Sequence, residues 1–324
     1  MQISEGFLAS HLRFGALDVA AASRLGAGPR LREENQDNLL LIDTGGQAVW
    51  LQDQQPQRRQ VAHWRTGHAR MAVLDGMGGH GYGREAAEAV AAGLLAMPPC
   101  DSEDELARRL DALHAELQDH FSRLSGPGPR PGTTLTMIEL PEGREPILYH
   151  VGDSRLYEIT RERVAPLTVD HVPATAFAME GLLGEQEWWQ QVHGEHRPQV
   201  SQAFILGNAF ANPAQLNDPL FELTPQNLPS WLRALPDRRT LQLRPDASYL
   251  LATDGLWSCS DPYGWVDQWP RLLGGRLDAA AMLAALLRAY EAHPPVFFHP
   301  DNVTVVLLRT PGGQARDETV LPGA

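Results

Sequence analysis

Residues 74–90, LDGMGGHGYGREAAEAV, run from an apolar strand end through five glycines in ten residues into an alanine-rich stretch. Glycine-rich turns that open a helix often cradle phosphate on backbone N–H groups. Two details argue against a nucleotide loop here. A P-loop requires G-x-x-x-x-G-K-[ST], and this chain has no lysine: all 27 basic residues are arginine. A Rossmann turn would carry G-x-G-x-x-G where the strand RMAVLDG ends instead on Asp75-Gly76. An aspartate in that place repels phosphate unless something positive lies between them. A metal ion is the first candidate.

Working outward, apolar runs bounded by turn residues predict strands in FGALDVAAAS, NLLLID, ARMAVLD, TTLTMIEL, PILYHVG, SRLYEIT, SYLLATDG and NVTVVLLR. Helices are predicted in REAAEAVAAGLLAM, SEDELARRLDALHAELQDHFSRL and LDAAAMLAALLRAYEAH, the second opened by a Ser102-x-x-Glu105 capping box. Strands come in meandering groups rather than in strict alternation with helices. The expected class is therefore α+β, a sandwich of antiparallel sheets with helices outside. Three segments read as insertions between these elements: 44–69, 172–200 with Trp188 and Trp189, and the Pro-, Asn- and Leu-rich 211–240.

The chain's 324 residues, 43% of them hydrophobic, are enough for one large domain. A net charge of −13 disfavours nucleic acid and anionic membranes and suits a collector of divalent cations. Cys100 and Cys259 stand far apart, so neither a structural zinc site nor a disulfide scaffold is expected. MQISEGFLASHLRFG lacks the basic start and apolar run of a signal peptide, and no apolar run reaches bilayer length. The expectation is a cytoplasmic protein, monomeric, with no nucleic-acid or membrane partner.

Aspartates recur beside the predicted strands: Asp37 in REENQDN, Asp75 in LDGMGG, Asp153 in VGDSRLY, Asp254 in ATDGLW and Asp301 in HPDNVT. Each alone reads as an ordinary turn former. A sandwich that gathered these strand ends into one cleft would need a cation to hold them there. An all-oxygen donor set suits Mg²⁺ or Mn²⁺ rather than Zn²⁺.

The order of motifs resembles the metal-dependent Ser/Thr protein phosphatases of type 2C, in their bacterial form. The blocks are RLREENQDN, AVLDGMGGHGYGREAAEAV, GTTLTMIEL, YHVGDSRLYEI, PLTVDHV, LLATDGLWS and DNVTVVLL, in that order, within a core from about residue 12 to 309 of a single 1–324 domain. The resemblance implies a four-layer αββα sandwich, two antiparallel sheets flanked by helices. It implies that Asp75 bridges two Mn²⁺ or Mg²⁺ ions, with the Gly76 carbonyl on one of them. Asp254 and Asp301 complete the other shell, Asp37 helps hold the pair, and Asp153 belongs to a third, weaker ion. Arg32 matches the phosphate-binding arginine, whose fork grips two oxygens as lysine cannot. Read from the residues alone, Arg32 is a surface arginine paired with Glu33 or Glu34. His80 is the general-acid candidate, although animal members place their histidine where this chain has Met77.

The implied activity is hydrolysis of phosphoserine and phosphothreonine by direct attack of a hydroxide held between metals, opposing a bacterial Ser/Thr kinase on phosphorylated protein substrates. Asn302, Thr133 and Thr134 are expected to order strand ends. Two rival readings are a non-catalytic phosphatase-like module and a small-molecule phosphohydrolase. The family's Asp-His-Ser block reads Asp170-His171-Val172 here, and the long segments after it differ from compact bacterial members.

Overall fold

A computed structural model describes residues 8–27, 31–77, 82–125, 130–195, 199–210, 215–296 and 300–310. The chain opens with β1 (Asp18–Arg24), β2 (Asn38–Ile42), β3 (Gln47–Gln52), β4 (Gln55–Gln60), β5 (Ala69–Leu74) and the short β6 (Gly76–Met77). Helices α1 (Gly83–Ala96) and α2 (Glu103–Ser125) follow. Then come β7 (Gly132–Thr133), β8 (Leu135–Leu140), β9 (Ile147–Val151), β10 (Arg155–Ile159) and β11 (Val164–Pro166). Helices α3 (Pro173–Met179) and α4 (Glu185–His193) precede β12 (Gln202–Ala203), β13 (Gly207–Asn208), β14 (Arg238–Thr240) and β15 (Ser248–Ala252). The short α5 (Pro262–Val266) and α6 (Trp269–Leu273), then α7 (Ala279–Ala292) and β16 (Val303–Arg309), complete it.

Two large antiparallel sheets result, ordered β1-β16-β15-β10-β11 and β14-β9-β8-β5-β2-β3-β4, beside the two-stranded pairs β12-β13 and β6-β7. Their strands read as continuous apolar runs because both faces are covered, and side chains alternate between two cores. On β2, Leu39 and Leu41 face the other sheet, whose Leu156, Leu251 and Val306 share a core with them and with Ile138 of β8. Leu40 and Ile42 face outward to Val90, Leu94, Leu106 and Leu110 of α1 and α2. On the other side, Leu250, Val305 and Leu307 pack beneath Trp265, Trp269, Leu283 and Leu286 of α5, α6 and α7. The order helix, sheet, sheet, helix is the four-layer sandwich expected.

The predicted strands and the three long helices lie where the sequence places them. The capping box differs in one bond. The Glu105 amide donates to the Ser102 hydroxyl at 3.3 Å, but the Glu105 carboxylate accepts from Asp101 N–H at 3.2 Å, one residue earlier than the box requires. Residues 44–69, read as an insertion, carry β3 and β4, a hairpin that extends the larger sheet. Residues 172–200 and 211–240 contribute to a satellite core of their own, in which Trp188, Val192 and Ala178 meet Phe210, Leu223, Leu228 and Leu232. Trp188 is buried, its Nε1 donating to Thr175 Oγ1 at 3.1 Å. Trp189 is 37% exposed and lies tilted against His193, ring centroids 4.0 Å apart. Among the described residues no helix is long and apolar enough to cross a membrane.

Candidate metal centre

The sandwich brings strand ends from both sheets to one pole. Asp37 precedes β2 and Asp75 follows β5; Asp153 lies in the link from β9 to β10. From the smaller sheet, Asp254 follows β15 and Asp301 precedes β16. Asp37, Asp153 and Asp254 are buried.

Their charges act on one another. Burial, then the Asp301 charge, holds the Asp37 carboxyl well above the ordinary carboxylate range, against the pull of the Thr253 hydroxyl. Desolvation raises Asp75 likewise, reinforced by Asp37, Asp254, Asp301 and Asp153 in that order. Asp301 is pushed up to about 6 by burial and Asp254, with Arg32 opposing. Like charges in a low-dielectric place favour the neutral acid unless a cation compensates them. Among the described residues no three His, Cys, Asp or Glu groups close to the spacing of ligands on one ion. Gathered carboxylates, with no imidazole or thiolate among the described residues beside them, are a donor type that fits Mg²⁺ or Mn²⁺.

A hydrogen-bonded frame holds the aspartates. Thr253 Oγ1 donates to Asp37 Oδ2 at 2.8 Å and accepts from Thr304 N–H at 2.9 Å, tying the smaller sheet to the start of β2. Asn302 Oδ1 accepts from Gln36 N–H at 2.9 Å, and its Nδ2 donates to the Glu34 carbonyl at 3.1 Å. Thr134 Oγ1 accepts from Asp75 N–H at 2.9 Å and lies 2.7 Å from Ser154 Oγ. Asn302 and Thr134 thus order strand ends, as expected. Thr253 and Asn35, which accepts from Asp37 N–H at 3.2 Å, were not singled out from the sequence. A threonine or asparagine beside a strand-ending aspartate was the available signal.

Glycine is required at two points for backbone approach. A Cβ on Gly76 would sit 2.3 Å from the Gln36 carbonyl oxygen and 2.4 Å from that of Gly83, so any side chain would prise β6 from its neighbours. On Gly255 it would lie 2.0 Å from the Asn302 oxygen. Crowding by the Gln36 and Gly83 carbonyls is therefore a reason in itself for glycine after Asp75.

Arg32 reaches the cluster rather than Glu33 or Glu34. Its Nη2 lies 2.9 Å from Asp301 Oδ1 and its Nε donates to the Pro300 carbonyl at 2.8 Å, with the side chain 44% exposed. Glu34 pairs instead with Arg84 Nε at 2.6 Å, and Arg84 also meets Asp53, Glu85 and Glu88. That fan pins the REEN segment to the first turn of α1. His80 lies outside the described residues.

Two residues after Asp153 stands Arg155, fully buried. It forks onto Asp170 at 2.9 and 2.7 Å, donates to the Val192 carbonyl at 2.6 Å, and lies 3.4 Å over the Trp257 ring. His171 Nε2 lies 3.1 Å from Asp237 Oδ2. The Asp170-His171-Val172 block thus fastens the segment after it to the strands that carry the aspartates.

No protein-family profile and no curated protein matches the sequence. Solved structures do match by fold. A bacterial serine phosphatase aligns at TM-score 0.60 and 17% identity over 92% of this chain and 99% of its own. The S. agalactiae serine/threonine phosphatase aligns at 0.61 and 18% over 91% and 99%. The catalytic domain of the serine/threonine phosphatase PstP, solved with two manganese ions, aligns at 0.53 and 22% over 90% and 97%. The chain has the fold of the bacterial type 2C Ser/Thr phosphatases, as its motifs implied.

Proposed function

We propose that this chain is a metal-dependent protein phosphatase that releases phosphate from phosphoserine and phosphothreonine. The observation that carries the reading is the meeting of carboxylates from both sheets, each raising another's pKa, with Arg32 at their rim. Asp75, the Gly76 carbonyl, Asp254, Asp301 and Asp37 would hold two Mn²⁺ or Mg²⁺ ions, and Asp153 a third. Bound there, such ions neutralise the carboxylates, acidify water and polarise phosphoryl oxygens.

The chain's own groups do the rest. Arg32 donates two of its N–H groups to Asp301 and Pro300, which aims the guanidinium; its other N–H donors grip phosphate oxygens. The Thr253 bond holds the Asp37 carboxylate, and the Asn302 and Thr134 bonds hold the backbone beside Asp37 and at Asp75. His80 donates a proton to the departing serine or threonine oxygen, a task suited to imidazole near neutral pH. The fold likeness to Ser/Thr phosphatases supports the reading, as does the set of five aspartates. The substrates are phosphorylated proteins, and the physiological counterpart is a Ser/Thr kinase.

Purified protein with Mn²⁺ is expected to release phosphate from a phosphothreonine peptide, and EDTA or Asp254→Asn to abolish the release. Absence of any release with Mn²⁺ would point to a non-catalytic module. Faster release from nucleotides than from phosphopeptides would point to a small-molecule phosphohydrolase.

A further inference from the structure

At the opposite end of the smaller sheet from the aspartates, β10 ends, β15 begins and β16 ends. A groove of about 860 Å³ opens there, lined by Arg161, Arg163, Arg244, Arg276 and Arg309. Leu273 and Met282 add apolar lining. The volume is within the range of ligand-binding clefts, about 300–1,000 Å³.

The charges facing it are unevenly matched. Arg244 pairs with Asp246 at 2.8 Å and with Glu158 at 3.8 Å, and Arg163 lies 3.9 Å from Glu158. Glu162 is the other carboxylate in the lining. Arg276 Nε donates to the Leu272 carbonyl and Arg309 Nη1 to the Arg276 carbonyl, neutral partners. Among the described residues Arg161, Arg276 and Arg309 have no carboxylate partner. In a chain of net charge −13, three uncompensated guanidinium groups around one concave surface are a local reversal of sign.

We propose that this groove is a docking site for an acidic polypeptide segment, a run of Asp and Glu side chains on a protein partner. Guanidinium forks take carboxylates bidentately, and the apolar lining accepts the methylene stems of such a segment. A peptide can thread its carboxylates between Asp246 and Glu162, whereas the evenly spaced charge of a nucleic acid would meet both. Seven residues of β16 separate groove from aspartates, about 23 Å at strand rise. Docking there is thus a separate event from hydrolysis and does not depend on it.

Fluorescence anisotropy of the full chain with a labelled oligoglutamate peptide tests this. Saturable binding that weakens with added salt is expected, with none for an oligoglutamine control. Removing three charges as Arg161→Gln, Arg276→Gln and Arg309→Gln should weaken binding about tenfold. The matched removal Arg58→Gln, Arg59→Gln and Arg108→Gln should change it less than about twofold. Lysine at the three groove positions, which keeps the charge, should restore most of the loss and control for folding, alongside circular dichroism. Equal losses in the groove and control triples, no saturable binding, or tighter binding of a DNA duplex than of the peptide would each overturn the proposal.

Discussion

Two buried carboxylate groups in this molecule behave oppositely. In the larger sheet, fully buried Glu139 takes two bonds from Arg70, at 2.6 and 2.8 Å, one from Cys100 N–H at 3.0 Å, and lies 2.7 Å from His68 Nε2. Arg70 spends its remaining donors on the Leu94, Met97 and Pro98 carbonyls. Burial alone would raise the Glu139 pKa, but Arg70 and His68 bring it below the ordinary value. At the acidic pole the carboxylates face each other, and burial and repulsion both push upward. Burial of a carboxylate says little about function. Whether the charges around it oppose or reinforce its own says more, because carboxylates that raise one another favour an outside cation.

The contrast can be broken from either side. The largest effect is expected at Asp75: Asp75→Asn should cut phosphate release by at least about a thousandfold, roughly 4 kcal/mol of barrier. The same substitution should raise the thermal midpoint of metal-free protein, since it removes one charge from a repelling set. A lowered midpoint would count against the repulsion argument. Next comes Arg70→Met, which strands Glu139 and should cost about 3–5 kcal/mol in urea unfolding. The double change Arg70→Met with Glu139→Met should recover much of that loss.

Metal should then sharpen the comparison through pH. Asp37, Asp75 and Asp301 have raised folded pKa values, Asp301 to about 6. The folded state therefore binds more protons than the unfolded chain, and metal-free stability falls as pH rises from about 4 through 6. Mn²⁺ at a hundredfold excess over its Kd should add about 2.7 kcal/mol near pH 7.5, and less near pH 5, where protons compete. Calorimetry with and without Mn²⁺ isolates this from His150 and His193. Their pKa values burial lowers, so their stability contribution runs the other way, rising with pH. The smallest effect is expected for Arg32→Lys, about tenfold in kcat/KM, because the charge survives and the fork does not.

Much of this was legible from residue order. Strand-ending aspartates with glycine or asparagine beside them mark the acidic pole, and the apolar runs mark both sheets. The hairpin of β3 and β4 was hidden for a physical reason. Every β4 residue is exposed, so QPQRRQ has no apolar alternation. Its turn residues, Asp53 and Gln54, both take positive φ without glycine, and the usual hairpin signal is missing. Arg155 was equally hidden. Nothing in VGDSRLY shows that this arginine is buried against Asp170, which stands fifteen residues away.

The Thr253–Asp37 bond joins two sheets whose strands are interleaved in sequence, and the acidic pole draws its carboxylates from both. A half-folded chain with one sheet formed has only part of the donor set. Ions at this pole would thus report on closure of the sandwich, and their binding would add stability absent from earlier folding stages. Interactions of that kind slow unfolding rather than hasten folding. The loaded protein should persist as a kinetically trapped native state, opening only when its two sheets part.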